Sequence, residues 1–472
     1  MTGVEDLLQT TPLLIVSISG LVVLVIDSIF RNGERLAFWL AATSLLASGL
    51  HGLYGIGETG TAFSGMLTTG GYADFCAALF SLAGFLTLLL SRDYIGSRTT
   101  DRGEYYVLIL FAVAGMILMA SAADLVVLFL GLEMMSLCFY VLAGFTRTSF
   151  AGNEASLKYF LLGAFATGFL LYGIAFLYGA VGSTNIDLIL SSASHLRDQT
   201  FFLIGLSLLL IGFLFKVAAV PFHMWVPDVY EGAPTTVTGF MSTGGKAAAF
   251  SALLLVFAPR LASQIGPVRE VIAVIAAVTM IGGNILALSQ ENIKRMLAYS
   301  SVAHAGYLLT GVVAANGSGS TGILFYLAAY TLMNCGAFGV VALLESREGG
   351  RTSFQDYSGL SKSSPVLAGL MALFMFSLTG IPPFAGFFAK YAVFSGAVAA
   401  GYTWLAIIGV LASLISVYYY LRLVVLMYFS EGEHPVPAPV PLAYAALLAA
   451  AGAVLFLGLF PSTILDLTAT FF

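Results

Sequence analysis

"LLIGFLFKVAAVPFHMWVPDVYEGAPTTVTGFMSTGGKAAAF" occupies residues 209–250. Its apolar runs suit a bilayer core, yet it holds Lys216, His223, Asp228, Glu231 and Lys246 and three prolines, Pro221, Pro227 and Pro234. Proline removes a backbone donor and clashes with the preceding turn. In lipid every backbone polar group needs a partner, so such a break must line protein or a watered cavity. The stretch therefore reads as a membrane helix broken near Pro221 and followed by a second span. A lysine beside the break gains carbonyls and water as acceptors, which is where a transferable proton can be held.

The rest of the chain agrees with a membrane setting. Of 472 residues, 59% are apolar and 9% charged, and mean hydropathy is +0.96. A soluble domain carries about 25% charged residues. There is too little polar side chain here to cover a soluble surface. The net charge of −5 points to no nucleic-acid partner. Cys76, Cys138 and Cys335 lie far apart in apolar runs and form no CxxC, so they read as small core residues. The opening "MTGVEDLLQTTP" lacks the basic n-region of a signal peptide, so the first apolar run is expected to be a retained helix.

A hydrocarbon core needs about 20 apolar residues as helix. Runs of that kind predict about fourteen spans, near 12–30, 36–56, 71–91, 104–121, 123–146, 154–181, 201–231, 235–257, 268–289, 294–314, 319–345, 364–397, 401–429 and 439–461. The spans 201–231 and 364–397 are overlong and contain prolines, so both read as broken helices. With the side after the first span called inner, its loops hold Arg31, Arg35, Arg92, Arg98, Arg102, Arg147, Lys294, Arg295, Arg347, Arg351 and Lys362. The outer loops hold Arg197, Arg260 and Arg269. Eleven against three places both termini outside by the positive-inside rule.

"FLFKVAAVPFHMWVPDVY" (213–230) aligns without gaps on "FMFSLTGIPPFAGFFAKY" (374–391). These are spans 7 and 12, five apart, so they cross in opposite directions, as inverted repeats do. The expected fold is all-α: residues 1–103 as three helices, 104–263 and 264–430 as inverted five-helix repeats, and 431–472 with the last helix.

Isolated ionisable groups within the spans are the candidate chemistry. A basic residue at a helix centre costs about 3 kcal/mol to insert, so it reads as functional by default. Lys246 is mid-span, and Lys216 and Lys390 flank the breaks. Lys158 lies about one turn into its span, and Arg422 near an inner end can snorkel. Glu133 stands alone between Asp124 and Arg147. Asp27, Asp74 and Asp124 read as interfacial. His304 is mid-span and His223 follows Pro221; imidazole both donates and accepts, which suits a relay, while packing is the plain alternative for each. His51, His195 and His434 lie near loops. No two histidines have ligand spacing, so no metal is expected. "GIGETG" (55–60) has no strand before it, and "STGGK" (242–246) lacks the first glycine and the Ser/Thr of a phosphate loop. Neither reads as a nucleotide site.

Several stretches carry a family resemblance. They are "NEASLKYFLLGAFATGFLLYGIAFLYG" (153–179), "FKVAAVPFHMWVPDVYEGAPTTVTGFMSTGGKAAAF" (215–250), "QENIKRMLAYSSVAHAGYLL" (290–309) and "YSGLSKSSPVLAGLMALFMFSLTGIPPFAGFFAKYAVF" (357–394). The chain resembles the N-type antiporter-like subunit of respiratory complex I, NADH–quinone oxidoreductase. "SGLSKSSP" and the lysine at 390 favour it over M-type and antiporter relatives, and the chain ends soon after its last span, unlike the L-type subunit. The resemblance implies that Glu133 pairs with Lys216, Lys246 is the central relay, His304 links onward, and Lys390 ends the path, with Lys158 nearby. It implies a bacterial cytoplasmic membrane and partners among the other membrane subunits, M-type and the small K-, J- and A-type. NAD, FMN, iron–sulfur clusters and quinone are then expected on partner subunits and no cofactor here. The alternatives are a cation/proton antiporter subunit, a membrane-bound hydrogenase-type complex, or a structural spacer. Four buried ionisable groups costing about 10 kcal/mol weigh against the spacer.

Overall fold

The computed structural model describes residues 3–30, 33–98, 102–197, 199–257, 265–314, 317–345, 350–432 and 440–472, and it is overwhelmingly helical. Arg31, Arg260, Arg347 and His434 lie outside the described residues. The chain begins with α1 (Gly3–Gln9), α2 (Thr11–Ile29) and α3 (Glu34–Gly55). Strands β1 (Thr59–Ala62) and β2 (Leu67–Gly70) follow, then α4 (Gly71–Gly96), α5 (Arg102–Ser121), α6 (Leu125–Ala143), α7 (Phe150–Val181) and α8 (Ile186–Leu196). The first broken region is α9 (Thr200–Lys216) and α10 (Trp225–Gly232). Next come α11 (Thr235–Phe240), a π turn (Met241–Gly245) and α12 (Lys246–Phe257), which run on as one span. Beyond lie α13 (Gly266–Leu288), α14 (Ile293–Ala314) and α15 (Gly317–Leu344). A short turn α16 (Leu360–Ser363) leads to the second broken region, α17 (Pro365–Thr379) and α18 (Ala385–Ala399), then α19 (Thr403–Phe429), α20 (Pro441–Leu459) and α21 (Ser462–Ala469).

Twelve of the described helical runs are long and apolar enough to cross a membrane. Three shorter apolar helices, α9, α17 and α18, belong to the broken regions. The chain is an integral, multi-pass membrane protein. One departure from the all-α expectation is the antiparallel β1–β2 hairpin, with Thr59 opposite Gly70. Its turn runs through Phe63, Ser64 and Gly65, all in left-handed backbone, and that local geometry leaves no hydrophobic signature in sequence.

Both breaks close a helix with a left-handed residue. Ala218 follows α9 at φ 63°, and Gly380 follows α17 at φ 90°. These two positions are 162 apart, whereas the gapless alignment pairs residues 161 apart, for example Phe213 with Phe374. The alignment is therefore one residue out of step at the breaks. The freed backbone groups find partners: the Phe215 carbonyl accepts from Trp225 Nε1 at 3.1 Å, and the Val220 N–H donates to Thr279 Oγ1 at 3.0 Å. Pro227 sits in the first turn of α10 and Pro234 precedes α11, positions where a missing N–H costs nothing.

The helices pack closely where glycines face each other. A Cβ on Gly173 (α7) would lie 2.6 Å from Leu209 N, and one on Gly205 (α9) 3.0 Å from Leu177 N. Gly115 and Gly131 make the same mutual approach between α5 and α6. Small residues at such crossings drive helix association in lipid. The α11–α12 run and α14 are the most enclosed spans, each with 94% of its most apolar stretch buried, against 22% for α2 and 33% for α7. The enclosed centre therefore carries Lys246 and His304. Cys76, Cys138 and Cys335 are buried and free, as expected of core residues.

Candidate functional site

Lys216 is the last residue of α9, so the break presents its side chain to the interior, where it is 8% exposed. Its Nζ donates to Ser136 Oγ at 2.8 Å and to Tyr140 OH at 3.5 Å, both on α6. Glu133, one turn before Ser136, is only partly buried, and its Oε1 accepts from Thr167 Oγ1 at 2.8 Å. The direct Glu133–Lys216 pair implied by the resemblance is thus absent; a serine holds the ammonium instead. Glu133 and the Ser136 that holds the ammonium lie three residues apart on α6 and so share one of its faces.

Lys246 comes directly after the π turn and is 3% exposed. The extra residue of a π turn re-aims the next helical turn, and such turns recur at functional sites. Lys246 Nζ donates to Ser301 O and, at 2.5 Å, to Ser301 Oγ, and lies 5.8 Å from the Tyr330 ring centre. A cavity of about 10 Å³ is lined by both Lys216 and Lys246, together with Tyr159, Trp225 and Tyr230. That is room for about one water.

Ser301 and His304 are one turn apart on α14. His304 Nδ1 meets Tyr326 OH at 2.7 Å, and Nε2 meets Tyr420 OH at 3.2 Å. Tyr330 packs against the same imidazole at 4.9 Å, so it touches both Lys246 and His304. Tyr307 continues the line: it lies 5.5 Å from His304, and Lys390 Nζ stands 5.1 Å from its ring centre. Lys390 reaches back from α18 to the open end of α17. It donates to Leu378 O at 3.0 Å, Thr379 O at 2.8 Å and Ser413 Oγ at 2.7 Å. A cation at a helix C-terminus is favoured by the backbone dipoles there. An apolar cleft of about 940 Å³ between α18 and α19 leads to this lysine.

Lys216, Lys246, His304 and Lys390 therefore form one buried line, and Glu133 flanks its start. Lys158 and His223 stand outside it. The Lys158 side chain is 43% exposed and bridges Glu154 at 2.7 Å and Asp228 at 2.9 Å. Arg295 extends this network to Asp228 at 3.0 Å and Glu231 at 2.8 Å. His223 is half-buried beside Tyr299. Asp124 caps α6, accepting from Val126 N at 2.8 Å. Arg422 lies over Phe354 at 4.5 Å and donates to Gln290 O. Sequence reasoning missed the hydroxyls that hold the line. Ser136 at three residues from Glu133, and Ser301 at three from His304, were the available signal.

A many-helix membrane bundle with lysines at two helix breaks defines the antiporter-like class. Residues 122–416 match the family model described as "NADH:quinone oxidoreductase/Mrp antiporter, TM". The chain is 47% identical to NADH-quinone oxidoreductase subunit N of Trichlorobacter lovleyi over 464 residues, covering 96% of this chain and 94% of that one. It belongs to the NADH-quinone oxidoreductase subunit N family. It is similar to a chain of respiratory complex I from Thermus thermophilus, solved with bound aureothin, at 35% identity and TM-score 0.85, covering 97% of this chain and 99% of that one. A chain of the Mrp complex from Dietzia sp. shares the fold, with TM-score 0.87 at 22% identity, covering 100% of this chain and 97% of that one.

Proposed function

We propose that this subunit carries protons across a bacterial cytoplasmic membrane along Lys216, Lys246, His304 and Lys390, driven by quinone reduction elsewhere in the complex. The observation that carries the reading is the continuity of the line. Lys216 and Lys246 share a cavity with room for about one water, and Tyr330, His304 and Tyr307 bridge Lys246 to Lys390. Three lysines and a histidine would otherwise be a needless cost of about 3 kcal/mol for each lysine.

The roles come from the contacts. Lys216 has two resting places: Ser136, where it now donates, and the nearby Glu133 carboxylate. A shift toward Glu133 retains the proton by attraction in a low-dielectric site. A shift away frees it to pass through water to Lys246. His304 takes a proton on one ring nitrogen and gives it from the other, with Tyr326 and Tyr420 fixing the ring. Lys390 is the last station, held on the α17 carbonyls. Lys158 and His223 flank the first break and adjust its charge.

The scheme takes the chain to cross the membrane fourteen times: the twelve long runs, plus α9 with α10 and α17 with α18 counted once each. The two breaks then sit in inverted repeats spanning 104–263 and 264–430, framed by 1–103 and 431–472. Both termini face the periplasm, as the basic loops require. The partners are the M-type subunit and the small K-, J- and A-type subunits. NAD, FMN, iron–sulfur clusters and quinone are on partner subunits. Lys246→Ala in the assembled complex tests the reading. NADH-driven proton pumping and quinone reduction should both fall by about tenfold or more; wild-type rates of both would contradict it.

A further inference from the structure

A second buried charge cluster lies apart from the lysine line, at the end bearing the basic loops. Glu345, just past α15, has a side chain only 5% exposed. Its Oε2 accepts from Tyr94 OH at 2.7 Å and from Thr235 Oγ1 at 2.6 Å. Arg98 lies 3.9 Å and Lys294 4.0 Å from the carboxylate, with side chains 8% and 4% exposed. Lys294 Nζ donates to Ala233 O at 2.8 Å, the carbonyl just before Pro234 and α11. A cavity of about 470 Å³ opens onto this cluster, lined by charged and hydroxyl groups including Thr146, Ser149 and Glu231.

The cluster connects inward. Thr235, Thr238, Ser242 and Lys246 recur at spacings of three, four and four, which is one face of a helical run, and all are buried. The helix facing them is α15, antiparallel to it. Glu345 meets Thr235, Asn334 Nδ2 donates to Ser242 Oγ at 2.7 Å, and the Tyr330 ring meets Lys246. Along that seam Tyr330 OH, Thr331 Oγ1 and Asn334 Oδ1 are buried without a protein partner. Buried polar atoms of this kind are ordinarily satisfied by ordered water. At about 1.5 Å per residue, Thr235 and Ser242 are about 10 Å apart, a span of a few waters. Phe338 packs on Gly239 along it, where an added Cβ would lie 3.2 Å from the Phe338 Cβ.

We propose that Glu345 is the proton inlet of this subunit, taking protons from the polar cavity and passing them along the Thr235–Ser242–Asn334 seam to Lys246. This rests on Lys246 being a proton station. Each step moves one proton along hydroxyls and water: the Glu345 carboxylate becomes a carboxylic acid by taking a proton from the cavity, and it returns to the carboxylate by passing that proton into the seam.

The test uses inverted membrane vesicles containing the whole complex, so that the basic-loop side faces the medium. NADH-driven proton uptake is read as medium pH is raised from mildly acidic to mildly alkaline. Glu345→Gln should lower uptake by about tenfold, most severely in alkaline medium, and Glu345→Asp should restore most of it. A merely structural role would lower uptake equally at every pH, and that result overturns the proposal. Asn334→Leu, remote from the ion cluster, decides the case if Glu345→Gln fails to assemble: slowed uptake supports the seam, and wild-type uptake overturns it. Lys246→Ala in the same preparation separates the two readings. If it abolishes uptake while Glu345→Gln and Asn334→Leu match wild type at every pH, the inlet alone is wrong. Wild-type uptake by Lys246→Ala overturns the relay beneath it.

Discussion

Ser136 is a small residue with a large duty, because it accepts the Lys216 ammonium at 2.8 Å inside the protein. A hydrogen bond to a charged group contributes about 1.5–3 kcal/mol. Ser136→Ala should therefore leave the fold assembled but slow proton pumping by about tenfold, with Ser136→Thr restoring most of it. Pumping assays on both variants check this, and an unchanged alanine variant would mean Lys216 does not use this rest. The lysines themselves are legible in sequence because an isolated charge in an apolar run has few structural excuses. Their partners are not. Serines, threonines and tyrosines are common in membrane helices, and nothing local tells which of them faces a lysine 80 residues away. Lys294 shows the opposite error. Its position near a span end marks it as a loop residue, but its carboxylate partner, Glu345, is brought by a distant helix and buries it. A Glu133–Lys216 pair is likewise a contact set by side-chain rotation, which spacing alone does not decide.

The helices place these side chains through close crossings. Gly173 on α7 lets α9 approach, and α9 ends in Lys216. Gly173→Leu should force the two apart at a cost of about 1–3 kcal/mol. Less folded protein in membranes and a lower unfolding temperature are expected. Gly168→Leu on the same helix is the control, since nothing lies within 4 Å of its Cβ position. Equal stability of the two variants would contradict the packing account. Span ends match the expected runs closely, as with 439–461 against Pro441–Leu459, because apolar length is a one-dimensional signal. The breaks are legible through their prolines. The π turn before Lys246 is not, since one extra residue in a helix changes no periodicity that a short glycine-rich stretch could display. The same limit explains the one-residue slip between the two breaks, where Ala218 and Gly380 share a backbone role that their side chains do not advertise.

Across the whole molecule, polar groups are concentrated where apolar helices enclose them. The outer helices α2 and α7 turn Leu21, Val25, Leu161 and Phe165 outward, toward lipid or neighbouring subunits. The inner helices enclose Lys246 and His304 at 3% and 1% exposure. That division supports one conducting line rather than several independent charges, and a line has a distinctive arithmetic. Stations in series fail together, so removing a second one after the first changes little. The decisive quantity is the number of protons moved per NADH oxidised in vesicles holding the assembled complex. It should be measured for Lys246→Ala, Lys390→Met and the double variant. The relay predicts the same deficit in all three. Deficits that add from single to double variants, or single variants that pump as wild type does, would contradict it.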